Sequence, residues 1–157
     1  MLVDLPKVPF NYSVINDYLI MGTKPKASDY VRLKKLDVGL IINMRAENKV
    51  LRPKSLPIPF IWVPTLDTRF TPIKPKQLLK AIEYSQETIK AGHKVYVYCR
   101  AGRHRSLVMS AAILISMGQT PDEAMALIKK QRLAADPDAK HIRAAVMRFN
   151  EFWSEHK

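Results

Sequence analysis

The chain carries a single cysteine, Cys99, among 157 residues. That excludes an internal disulfide, a cysteine-rich metal site and a relay between paired thiols, and makes an intracellular, cytoplasmic setting the natural expectation. Long apolar runs are lacking too. The longest, Leu107 to Met117, is interrupted by serines and falls short of the roughly 20 residues of a membrane-spanning helix. The start, Met1-Leu2-Val3-Asp4-Leu5-Pro6, has no basic segment leading into an apolar one, so no signal peptide is expected. Acidic residues are scarce: 14 Asp and Glu stand against 26 Lys and Arg, a formal net charge of +12. The excess is spread, since no five like charges run together. Such a field attracts phosphorylated ligands or an anionic membrane surface, and it reads equally as a generally basic soluble surface. Aromatic residues are not interleaved with a basic stripe, so specific nucleic-acid binding is not expected. Nothing divides or repeats the chain, which reads as one domain, 1–157, and a monomer.

What is present is concentrated in one stretch. Val95-Tyr96-Val97-Tyr98 is apolar and rich in β-branched and aromatic residues, and it stops abruptly at Cys99. Arg100-Ala101-Gly102-Arg103-His104 follows, and an apolar helical stretch begins near Arg105. The five residues between Cys99 and Arg105 are enough to curl around one tetrahedral anion, with backbone N–H groups pointing inward ahead of a helix N-terminus. The Arg105 guanidinium offers a bidentate grip on two phosphate oxygens. The same positive surroundings favour the thiolate of Cys99, the nucleophilic form. Gly102 sits where the loop must turn sharply and let backbone approach a ligand. Ser106 brings a hydroxyl near the sulfur. A lone cysteine is more often a small buried hydrophobe, but Arg, Gly, Arg, His and Arg are poor core neighbours.

These residues resemble the signature of the cysteine-dependent phosphatases, within their compact dual-specificity branch: Cys-x5-Arg-Ser/Thr after a buried strand, matched by Cys99, Gly102, Arg105 and Ser106. The resemblance implies a cysteinyl-phosphate intermediate on Cys99, phosphate held by Arg105 and the backbone of Arg100, Ala101, Gly102, Arg103 and His104, and no cofactor or metal. It implies a general-acid Asp on a loop after an upstream strand. Phe60-Ile61-Trp62-Val63-Pro64-Thr65-Leu66-Asp67 places Asp67 there, 32 residues before Cys99. Leu40-Ile41-Ile42-Asn43-Met44-Arg45, a strand ending in an Asn, also looks like the family. Ser106 would ease departure of the thiolate. The chain departs from the family at Tyr98, where a His usually buttresses the loop; a phenolic O–H is still able to donate. The resemblance implies phosphotyrosine, phosphoserine and phosphothreonine proteins as substrates. Arg100 and Arg103 support an alternative, since lipid-directed members tend to be basic at these positions: phosphoinositides, phosphatidylglycerophosphate or another polyanion. A third reading is a phosphate-binding module without turnover.

Of the remaining candidates, Arg45 and Glu47 either shape the pocket or form a solvated pair. The His104 side chain is expected to point outward, and His93 and His141 lack metal-ligand spacing. The rest of the pattern predicts an α/β domain, a central mixed sheet with helices on both faces. It comprises a hairpin over Tyr12–Met21 turning at Asn16-Asp17, a helix over Ser28–Leu36 capped by Ser28, and a strand at Leu40–Met44. An irregular loop follows over 45–59, then a strand at Phe60–Val63 and a helix from Pro72 or Pro75 to Lys90. Thr120-Pro121-Asp122-Glu123 opens another helix, with Ala124, Leu127, Ile128 and Gln131 inward. Asp136-Pro137-Asp138 breaks the chain before a last helix carrying Ile142, Val146, Phe149 and Trp153.

Overall fold

The most strand-prone run of the sequence is the centre of the sheet. A computed structural model describes residues 9–48 and 58–156. The strands are β1 (Tyr12–Val14), β2 (Leu19–Gly22), β3 (Val38–Arg45), β4 (Phe60–Thr65) and β5 (Lys94–Tyr98). The helices are α1 (Tyr30–Lys35), α2 (Pro75–Lys90), α3 (Arg105–Ser116), α4 (Pro121–Gln131) and α5 (Lys140–His156). Sheet order is β1-β2-β5-β3-β4. All pairs are parallel except the β1–β2 hairpin at the edge. Strands buried on both faces must be apolar throughout, which is why β3 and β5 read as continuous runs rather than as alternation.

Side chains of β5 still alternate in direction. Val95 and Val97 enter a core shared with Leu78 and Ile82 of α2, Leu107 and Ile113 of α3, Ile128 of α4 and Phe149 of α5. Tyr96 and Tyr98 enter a smaller core on the opposite face, against Tyr30 and Leu33. Helices therefore cover both faces, four on one and α1 on the other. Helix α3 is buried from Arg105 through Ile115 because α2, α4 and α5 surround it over the sheet. A helix apolar all round belongs in such a place.

Local chemistry shifts several boundaries. Ser28 is not a cap: a 3₁₀ turn, Ala27–Asp29, precedes α1, and the Asp29 carboxylate accepts from the Lys26 N–H at 2.8 Å. Asp37 ends α1 with φ 66, a left-handed conformation its short polar side chain tolerates. Helix α2 starts at Pro75, the position a missing N–H suits. In α4 the Thr120 hydroxyl accepts from the Glu123 N–H at 3.2 Å, as the motif predicts. Its inner face is Ala124, Met125 and Ile128, with Leu127 half-buried, and Gln131 faces solvent. The loop read over 45–59 falls largely outside the described residues.

The topology brings the carboxyl ends of β3, β4 and β5 to one edge of the sheet. Such ends form the ligand crevice of parallel sheets.

Candidate active site

The Cys99–His104 loop runs from β5 into α3, and its shape is set from outside. Arg132, just past α4, is 4% exposed and reaches under the loop. Its Nε donates to the Gly102 carbonyl at 2.8 Å and its Nη2 to the Ala101 carbonyl at 3.1 Å. Further bonds to Asn11 Oδ1 (2.7 Å) and Ser13 Oγ (3.1 Å) fix the guanidinium. With those two carbonyls drawn to Arg132, the trans N–H groups of Gly102 and Arg103 point the other way. Gly102 has φ 64, and a Cβ there would stand 2.6 Å from Arg132 Nη2. The glycine is thus required by the arginine beneath it as well as by the turn.

Tyr98 does not take the place of the family's buttressing His. It projects to the α1 face, away from the loop, where its hydroxyl is buried without a partner among the described residues. Burial pushes its phenol well above the ordinary value, so it stays neutral. Arg132 buttresses the loop instead, and no local sequence signal marked it.

Cys99 Sγ lies 3.1 Å from the Ser106 Oγ, both atoms buried. Beside them Arg105 is anchored by one nitrogen. Its Nη1 donates to Glu47 at 2.7 and 3.0 Å and to the Thr65 carbonyl at 3.0 Å, while its Nε is buried and unpartnered among the described residues. A buried orphan donor of this kind is a place for an acceptor that binds there. Arg45 meets the same Glu47 at 3.2 Å, so this pair shapes the pocket. Partial burial pushes the Glu47 carboxyl up, but hydrogen bonding and charge from Arg105 and Arg45 outweigh it and hold Glu47 below its ordinary 4.5. The Glu47 turn is shaped by Asn43, which accepts from the Arg45 N–H at 2.9 Å and donates to the Asn48 carbonyl at 2.7 Å.

Asp67 stands across the cleft after β4, clamped by two histidines. Its Oδ2 is 2.9 Å from His104 Nδ1 and its Oδ1 is 3.2 Å from His141 Nε2. His104 therefore does not point outward: carboxylates at both ring nitrogens draw it inward, its Nε2 lying 3.3 Å from Asp136 Oδ2. Arg103 pairs with that same Asp136 oxygen at 3.3 Å, an arm of the clamp. A doubly protonated His104 donates to both carboxylates, whereas a neutral ring leaves one acceptor facing another. Partial burial works against the charge of Asp67, yet hydrogen bonds from His104 and His141 and the charges of His104 and Arg105 hold it below its ordinary 3.8. Asp136 is held below 3.8 chiefly by its hydrogen bond from His104.

A cleft of about 450 Å³ is lined by Arg45, Glu47, Asp67, Cys99, Arg100, Ala101, Arg103, His104 and Arg105. Every residue read from the sequence as part of the site reaches this cleft except Gly102, which faces Arg132, and Ser106, which lies behind the sulfur.

The site and the fold define a cysteine-based phosphatase: the chain belongs to the family described as dual specificity phosphatase, catalytic domain, whose model matches residues 19–151. Among its relatives is the phosphatidylglycerophosphate phosphatase PTPMT2 of Arabidopsis thaliana, 34% identical over 105 residues, an alignment covering 64% of this chain and 46% of that protein. The chain spans less than half the length of the curated relatives it matches. The crystal structure of human DUSP28 superposes with a TM-score of 0.81 at 20% identity, covering 96% of this chain and 99% of the other. That of PTPMT1 in complex with PI(5)P gives 0.79 at 22% identity, covering 93% and 99%. Both structural likenesses show the fold.

Proposed function

We propose that this phosphatase hydrolyses phosphomonoesters on small, multiply anionic, non-protein substrates, foremost the headgroup phosphate of a phospholipid such as phosphatidylglycerophosphate. The observation that carries the chemistry is the buried Cys99 sulfur, 3.1 Å from Ser106, beside an Arg105 anchored through Nη1 and left with a free Nε. Cys99 thiolate attacks phosphorus in line, and the bond to the leaving oxygen breaks. Arg105 and the outward-turned loop amides hold the equatorial oxygens as charge spreads over them. Asp67 passes the leaving oxygen a proton drawn from its imidazole partner. Water then attacks the phosphocysteine, losing its proton to the same Asp67–His104 pair, and the departing thiolate receives a hydrogen bond from Ser106.

Two observations support the lipid reading over the phosphoprotein one. The curated relatives named for phosphatidylglycerophosphate act on a phospholipid phosphate. The rim is basic: Arg100 meets no carboxylate among the described residues, so its charge is available to a second anionic group on the substrate. An anionic membrane surface is the setting in which such a substrate is met.

The test is a panel of phosphatidylglycerophosphate and phosphoinositides in mixed micelles against phosphotyrosine and phosphothreonine peptides. The expected result is a kcat/KM for a lipid phosphate at least about tenfold above any peptide, ~1.4 kcal/mol of preferential transition-state binding. The reverse ranking assigns the chain to phosphoproteins. Turnover of nothing in the panel makes it a binding module.

A further inference from the structure

We propose that Asp67, His104 and His141 form a binding site for a single divalent transition-metal ion of the zinc class, and that filling it withdraws the proton-donating carboxylate from the reaction. The two imidazole nitrogens and a carboxylate oxygen lie within 4.8 Å of one another, with His104 Nδ1 2.9 Å from Asp67 Oδ2 and His141 Nε2 3.2 Å from the other oxygen, Oδ1, so small side-chain rotations bring all three onto one ion. Ligand atoms around a tetrahedral zinc ion, with bonds of about 2.0–2.1 Å, stand roughly 3.3 Å apart. The side chains are therefore near coordinating distance already. Two imidazoles and one carboxylate suit zinc and its neighbours, and three protein ligands leave a fourth position for water.

A second feature sets this cluster apart from a chance meeting of polar groups. His104 Nε2 faces Asp136 Oδ2 at 3.3 Å, and Arg103 holds the same oxygen at 3.3 Å. Once a metal displaces the Nδ1 proton, the carboxylate on the far nitrogen holds the remaining proton at Nε2 and strengthens Nδ1 as a ligand. The ligands also come from three separate elements. Asp67 follows β4, His104 directly precedes α3, and His141 lies in the first turn of α5. The core sets their spacing. By contrast His93 pairs with a single carboxylate, Asp37, among the described residues, and His156 bonds a carbonyl of its own helix and stacks on Phe152.

Metal entry displaces the protons that bridge the imidazoles to Asp67, releasing them to solvent. The carboxylate oxygen then donates its electron pair to the ion and has no proton to give a leaving group. That inhibitory consequence rests on the role proposed above for Asp67; the binding itself does not.

The competing ligand is the thiolate of Cys99, so the experiment uses the Cys99→Ser full chain. The metal-stripped protein is titrated with cobalt(II) chloride, followed by visible absorption, and with zinc chloride by calorimetry. The expected result is one ion per chain, with the intense absorption of four-coordinate cobalt that zinc abolishes. His141→Ala in the same background should weaken binding about 100-fold and Asp136→Asn about 10-fold. Thermal melting without metal checks that each variant is folded, and His141→Gln replaces His141→Ala if the latter is not. Absence of cobalt binding in the Cys99→Ser protein overturns the proposal, as does an affinity unchanged by loss of His141.

Discussion

The Cys99–Ser106 loop and the Asp67 carboxylate face each other across one cleft, yet they are held in different ways. Cys99, Arg105, Ser106 and the supporting Arg132 are each less than 5% exposed. Their positions follow from a strand, a buried helix and a guanidinium locked by four hydrogen-bond acceptors. The Asp67 side chain is 38% exposed and is held, among the described residues, only by the imidazoles of His104 and His141, themselves 19% and 29% exposed. The difference has a chemical reason. A nucleophile and an anion cradle work by not moving, whereas a group that gives and regains a proton must stay in exchange with water and a proton store. Asp67 therefore sits in a network open to pH and to cations.

Removal of the thiol tests the fixed side most severely. Cys99→Ser should lose on the order of 10⁴–10⁶-fold in kcat while keeping its affinity for vanadate-like or phosphate ligands, because a hydroxyl does not ionise at neutral pH and the cradle is untouched. Equal loss of binding and turnover would mean that the sulfur also builds the cradle. Asp67→Asn breaks the other side, with a loss of about 10²–10⁴-fold on alkyl phosphates. The loss in kcat/KM, which reports the attack step, should be much smaller on an activated aryl phosphate, whose leaving group needs little protonation; equal losses in kcat/KM would make Asp67 structural. Arg105→Lys keeps the charge but not the fork, and should cost about 10²–10³-fold in kcat on every substrate alike.

Smaller effects sharpen the contrast. Arg132→Met, which keeps the stem and removes the donors, should destabilise the protein by about 2–3 kcal/mol in urea unfolding and raise KM for all phosphates, since the Ala101 and Gly102 carbonyls lose their partner. An unchanged KM would show that the loop holds its own shape. Smallest is Asp136→Asn, a partly exposed pair worth about 0.2–1 kcal/mol at neutral pH. Asp136 is held low in the folded state, so its contribution is full above its ordinary 3.8 and is lost as pH falls through the lower folded value. The parent and the variant should therefore converge in stability under acid. A gap that widens as pH falls would reverse that sign.

The loop was legible in the sequence because it is contiguous. Val95–Tyr98, Cys99, Gly102 and Arg105 are neighbours in the chain, and each states its own local requirement. Tyr98 was misread through the resemblance, which cast its phenol as a donor to the loop. It stands one residue before Cys99 in a strand, and alternation alone sends it to the other face, away from the loop. Asp67 was found through the family resemblance, by its place after a strand upstream of Cys99, but its surroundings were not. His104 is 37 residues from Asp67, and His141 a further 37, so no spacing rule connects them. Arg132 likewise reaches Gly102 across 30 residues, and only the packing of α4 against α3 brings it there. Local rules describe elements; the partners of a buried or clamped side chain are decided by how elements pack.

Trapping the intermediate tests most directly whether the buried loop attacks phosphorus by itself while Asp67 manages protons. Asp67→Asn protein is mixed with p-nitrophenyl phosphate, quenched in acid, digested and analysed by mass spectrometry. The predicted result is a stoichiometric burst of nitrophenol followed by slow turnover, with one phosphate on the peptide that contains Cys99. A missing burst with an unmodified Cys99 peptide, or a phosphate found on any other residue, would contradict it.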